Sequence, residues 1–242
     1  MMEAAFWGGV GGASLLLGAV AGLILPVSRR TIGLIMGFGA GVLISALAFE
    51  LTETAFTLGG LDVVTIGLAA GAIAFYIGDL LIDRLGGEHR KSSMGRQSEG
   101  SETALLLGAV LDGIPESAVI GMTLLGGGGI GLAVVAAVFL SNVPESLSSA
   151  IGMRKAGHSA GYVIGVWAVV VAVCGVSSAL GYGLLDGASG GTIGLIQAFA
   201  AGSVLTMLAD TMMPEAYEHG GKTVGLVTAL GFAAAFALSM LE

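Results

Sequence analysis

Asp112-Gly113-Ile114-Pro115-Glu116-Ser117 and Ser141-Asn142-Val143-Pro144-Glu145-Ser146 decide how this chain is read. Both phrases lie inside long apolar runs, with Glu116 and Glu145 29 residues apart. A lipid-facing helix avoids proline and ionisable carboxylates, yet here they occur together twice. On an insertion scale a mid-membrane Asp costs about 2.5–3.5 kcal/mol, so three buried carboxylates cost about 8–10 kcal/mol. A chain that keeps them uses them or pairs them.

The surrounding composition is that of a polytopic membrane protein. Mean hydropathy is +0.95, and of 242 residues 55% are apolar and only 11% charged; a water-soluble core is excluded. Apolar stretches of bilayer length predict eight helices, at about 4–26, 31–53, 61–82, 103–125, 129–151, 159–182, 191–213 and 222–241. The 43 glycines suit helices that approach closely where lipid supplies no hydrophobic drive to associate. With these spans all nine Lys and Arg fall in alternate loops: Arg29 and Arg30; Arg84, Arg90, Lys91 and Arg96; Arg154 and Lys155; Lys222. That segregation predicts cytoplasmic basic loops, both termini outside and a multi-pass protein of the cell membrane. The first apolar stretch lacks a basic leader and is expected to be a retained span. The net charge of −8 gives no reason to expect a nucleic-acid partner. Segment 84–102, rich in Arg, Ser, Gly and Glu, is expected to be a flexible cytoplasmic loop, with His89 solvated in it. The lone Cys174 forms no intrachain disulfide and is expected to pack.

A weak internal repeat supports this layout. Aligning residues 38–56 with 199–217 gives six identities, among them Phe38, Ala40 and Gly41 against Phe199, Ala201 and Gly202. The two stretches lie in oppositely directed spans, as in transporters built from inverted repeats. The expected fold is all-α: three spans, a central pair, then three inverted spans.

Within the central pair, Asp112 and Glu116 are four residues apart and share a helix face, as do Ser141 and Glu145. At 1.5 Å per residue, Asp112 and Ser141 stand at about the same depth, roughly 14 Å from the inner helix ends. Pro115 and Pro144 cannot donate to the carbonyls of Leu111 and Leu140, which predicts kinks and two freed oxygens. Carboxylates with freed carbonyls make an oxygen-rich cavity suited to a hard or borderline dication. Asn142, Ser117 and Ser146 add neutral oxygens. The competing reading joins protonated glutamates across the helix pair as adhesion alone. Glu50 and Glu53 near the outer face, with Asp210 and Glu215 toward the inner one, are candidate pathway residues. Glu218, His219 and His158 could extend that inner end, and Asp79 and Asp83 need no more than a helix-end role. No catalytic constellation is read, and an enzyme is not expected.

Eight spans with consecutive Pro-Glu helices resemble the ZIP family of divalent metal transporters over nearly the whole chain. The resemblance rests on Asp112–Ser117, on Ser141–Ser146, and on the run from Ala201-Gly202 through Asp210 to Met213-Pro214-Glu215-Ala216. The family usually reads His-Asn-x-Pro-Glu-Gly in both central motifs. Carried over by position, the resemblance implies metal binding at Asp112, Glu116, Ser141 and Glu145, with Gly113 and Asn142 at second-site positions. Asp112 and Ser141 replace the usual histidines, Gly113 has no ligating side chain, and residues 159–182 contain no acid. Loss of imidazole favours Mn, Mg or Ca over Zn, with Zn and Fe still open. The resemblance further implies import toward the cytoplasm without ATP hydrolysis, spans four and five moving past a scaffold, and a homodimer in the lipid bilayer. In this reading Glu116, Glu145 and Asp112 bind the dication, and Ser141 and Asn142 supply neutral oxygens. Two alternatives are a non-transporting metal sensor or assembly protein of the same fold, and an intramembrane aspartyl protease. The second lacks both the Gly-x-Gly-Asp signature and a matching second Asp.

Overall fold

The computed structural model describes residues 1–94, 102–125 and 129–241, with Glu102 by its backbone alone. Every regular element among them is helical: α1 (Met2–Ile24), α2 (Arg29–Ala46), α3 (Glu53–Ile82), α4 (Glu102–Met122), α5 (Leu132–Lys155), α6 (Ala160–Gly183), α7 (Gly190–Met207), α8 (Met213–Gly220) and α9 (Thr223–Ser239). π-helical turns follow α2 (Leu47–Thr52), α3 (Asp83–Gly87) and α7 (Leu208–Met212).

Among the described residues, six helical stretches are long and apolar enough to cross a membrane, where the hydropathy pattern predicts eight. The difference has two sources. Arg29–Gly87 runs as one helical stretch of 59 residues and takes in two of the expected spans. It is interrupted at Gly60 (φ 76, ψ −176), a conformation open to glycine and to almost no other residue. At 1.5 Å per residue an unbroken helix of that length would measure about 90 Å, three times a bilayer core. The second source is α9, whose 17 residues fall just short of the length of the other stretches.

Helix pairing is duplicated. α2 packs on α9 as α7 packs on α3, and α1 packs on α5 as α6 packs on α4. The duplication extends to atomic detail that the identities in 38–56 and 199–217 only hint at. Ser28 caps α2 by accepting from Thr31 N at 3.1 Å, and Ser189 caps α7 by accepting from Thr192 N at 3.2 Å. Each helix then runs 18 residues into a π turn, at Leu47 and at Leu208. Gly41 lies against the Thr228 carbonyl of α9, and Gly202 against the Leu68 carbonyl of α3. No side chain fits at either contact, so backbone meets backbone.

α5 is the most buried of the long helices, with 72% of its apolar window inside the protein. One apolar cluster (Met36, Leu43, Leu47, Val119, Val134, Val138, Val204, Met207) draws on α2, α4, α5 and α7. A second (Leu15, Leu105, Ala150, Met153, Trp167, Val170) draws on α1, α4, α5 and α6. Both α4 and α5 continue as helices through Pro115 and Pro144. The acidic residues of the two motifs stand between these clusters.

Candidate functional site

A chain of separate voids lies along the protein, interrupted at the three motif carboxylates. At the end away from the basic loops, a cleft of about 620 Å³ opens between the π turn Leu47–Thr52, α3, α4, α5 and α7, with Glu50, Thr54, Thr123 and Gln197 among its walls. Leu51, Val119 and Val134 of that cleft also line a narrow apolar neck of about 20 Å³, whose one carboxylate is Glu116. At the basic end, a pocket of about 180 Å³ is lined by Asp210, Thr211, Pro214, Glu215 and Glu218 together with residues 88–92. Between neck and pocket stand the carboxylates and two cations.

Asp112, Glu116 and Glu145 are buried within the protein, and Glu116 and Glu145 are close enough for their charges to interact directly. The helical register explains why they share a face: the spacing from Asp112 to Glu116 puts both on one buried side of α4. Glu116 is 3% exposed and its Oε1 has no hydrogen-bond partner. Ser141 is buried but its hydroxyl donates to Val138 O of its own helix at 3.0 Å. Asn142 is turned to α1, its amide nitrogen donating to Gly11 O at 3.5 Å. Asp112, Glu116 and Glu145 therefore come together, and the amide of Asn142 is directed elsewhere.

The residues that sequence reasoning missed are Arg90 and Lys91. Segment 84–102 is expected to be solvated and flexible; residues 90–93 of it are instead buried in the protein. Two turns, Arg90 N to Gly87 O and Ser92 N to His89 O (both 3.0 Å), drive residues 90–93 inward. Arg90 donates from Nε and Nη2 to the two oxygens of Asp112, each at 3.2 Å, and its Nη2 lies 2.5 Å from Asp79 Oδ1. Lys91 Nζ lies 3.3 Å from Asp112 Oδ2 and 3.2 Å from Glu145 Oε1. Arg90 and Lys91 are only 4% and 5% exposed. Burial alone would lower both cations' pKa values, but the carboxylates outweigh it: Asp112 raises Arg90, and Asp112 with Glu145 raises Lys91. Asp79 thus serves in the same ion network, beyond the helix-end role expected of it. A charge count held the missing signal, since three mid-membrane acids with no cation in any predicted span call for one from a loop.

The backbone of this inserted segment is fastened on two sides. Ser148 of α5 donates to Lys91 O at 2.7 Å, and Lys155 to Ser93 O at 2.7 Å. Across the pocket, Ser93 N donates to Glu215 Oε1 at 2.9 Å, and Ser93 Oγ pairs with His219 Nε2 at 2.7 Å. Glu215 and His219 also pair with each other at 2.9 Å. Glu215 is therefore a latch for the segment. Asp210 is exposed on its π turn and faces the pocket. Glu50, on the matching π turn, accepts from Ser239 of α9 and borders the cleft; Glu53 is exposed at a side recess. π turns recur at functional sites, and these two flank the void chain at opposite ends.

Among the described residues, no three His, Cys, Asp or Glu side chains are grouped as a ready metal-binding set. Of the three motif carboxylates, Asp112 is turned to Arg90 and Lys91 and Glu145 to Lys91. A scan against protein-family models and a search of curated proteins each return no match.

Proposed function

We propose that the protein is a ZIP-like secondary transporter that carries divalent cations across the membrane past Asp112, Glu116 and Glu145. One observation carries the reading. Glu116 offers an unpartnered carboxylate oxygen at the floor of a neck that descends from an open cleft. Leaving a buried acid without a partner is costly for a structural role, and intramembrane acids mark ion pathways. The duplicated pairing of α2–α9 with α7–α3 supports eight spans in a 3+2+3 inverted-repeat arrangement, the turn at Gly60 dividing the long helical stretch. In that arrangement the basic end is cytoplasmic, the cleft opens outside, and Asp210 and Glu215 receive the cation on the inner side. All-oxygen donors favour Mn²⁺ and similar ions over Zn²⁺.

A second reading has the Arg90–Lys91 ion network in its favour: a permanently paired site would assemble or sense rather than carry. Cation uptake into proteoliposomes separates the two. Glu116→Gln and Glu145→Gln abolish Mn²⁺ uptake, and Asp112→His moves preference toward Zn²⁺. Normal uptake by both Gln variants would remove the transport reading.

A further inference from the structure

We infer that Lys91 is a tethered competitor for the cation site: its ammonium sits where cargo binds, and cargo must expel it together with residues 90–93. The inference rests on the transport reading above and extends it to selectivity and gating. Three observations lead here. Lys91 Nζ bridges Asp112 and Glu145, one carboxylate from each motif, as a bound cation would. Residues 90–92 also wall the basic-end pocket, so the same segment closes the way from the carboxylates to Asp210 and Glu215. Apart from the ion pairs of Arg90 and Lys91, its fastenings, Ser148 and Lys155 on α5 and Glu215 and His219 on α8, are single hydrogen bonds. Such contacts can part without unfolding a helix.

Charge discrimination follows. Expelling residues 90–93 withdraws two positive charges, Arg90 and Lys91, from these carboxylates. A dication restores both, whereas a monovalent cation restores one, leaves a buried carboxylate uncompensated, and must still overcome the high effective concentration of the tethered groups. Lys91 is thus a specificity-determining residue that rejects Na⁺ and K⁺, and its departure opens the basic end only when a dication has bound.

Two measurements on the purified full-length protein in detergent test this. First, Ser93→Cys, at a fully buried position of the segment itself, is exposed to a charged maleimide in choline chloride or in MnCl₂ at equal ionic strength. The parent, whose one thiol Cys174 is buried in α6, is the control. Labelling is expected to be slow in choline and at least tenfold faster in Mn²⁺. Second, calorimetry of Mn²⁺ binding compares the parent with Lys91→Gln. A segment seated about 90% of the time masks affinity about tenfold, so Lys91→Gln is expected to bind Mn²⁺ at least tenfold tighter and to lose affinity when K⁺ is added. Rapid labelling in choline overturns the inference. So does Mn²⁺ binding to the parent with unchanged labelling, or equal affinity in the two proteins; both leave the transport reading standing. Absence of Mn²⁺ and Zn²⁺ binding in parent and variant alike overturns both. The thiol measurement keeps Lys91 in place, so it holds even if Lys91→Gln does not fold.

Discussion

Arg90→Met tests whether the loop truly belongs to the core. The substitution keeps most of the side-chain bulk and removes the guanidinium that donates twice to Asp112 and contacts Asp79. Removing one partner from a buried ion pair costs about 3–5 kcal/mol, because the other charge is left without compensation. Asp112 is nearly inaccessible and Asp79 mostly so, which puts the expected loss within that range. Lys91 still faces Asp112 and keeps the loss below the sum for two abandoned acids. The reasoning is checked by a double-mutant cycle, with reversible unfolding in mixed micelles for the parent, Arg90→Met, Asp112→Asn and both together. Neutralising Asp112 relieves the charge that Arg90→Met leaves exposed, so the double variant is expected to recover about 1–3 kcal/mol relative to additivity. A loss below about 0.5 kcal/mol for Arg90→Met, the range of ordinary surface changes, would mean the loop is solvated and the ion network does not exist.

Gly41→Ala and Gly202→Ala each push a methyl group into a facing backbone carbonyl, and each is expected to lose about 1–3 kcal/mol, read as lowered thermal midpoints; a loss at only one would break the duplicated packing. Gly60→Ala places a side chain at a φ of 76 and is expected to lose about 1–3 kcal/mol, measured the same way, with no loss showing that no turn forms there. In intact cells, Arg30→Cys and Asp62→Cys are expected to react with impermeant thiol reagents from opposite sides; labelling of both from one side would refute the division of the long helical stretch at Gly60.

Much of this architecture is visible in the bare chain because membrane physics constrains it tightly. Spacing on a helix brings Asp112 and Glu116 to one face, and reversal of direction brings Glu145 to meet them. Counting helices is harder, since length alone settles neither how a 17-residue α9 counts nor how the 59-residue stretch interrupted at Gly60 does. The shared caps at Ser28 and Ser189 were legible in principle, but Ser-x-x-Thr is too common to weigh without the turns that follow. Insertion of residues 90–93 was not legible, because hydropathy assigns a run of Arg, Lys and Ser to water. Only tertiary structure supplies the acids that draw it inward. Asn142 escaped for a related reason: backbone register fixes a face, while its side-chain partner on α1 is a matter of packing.

On the proposed transport reading, the duplicated helix pairing gives an ion a doorway at each end, and among the described residues the segment 90–93 bolts the one at the basic end. A bolt on a passive carrier cannot make net movement one-way, since the gradient sets the direction at equilibrium. What it does is make the protein answer to one compartment. On that reading, whatever grips Glu88 or His89 from the basic side would govern how fast the door opens, and among the described residues nothing at the opposite threshold has the same hold.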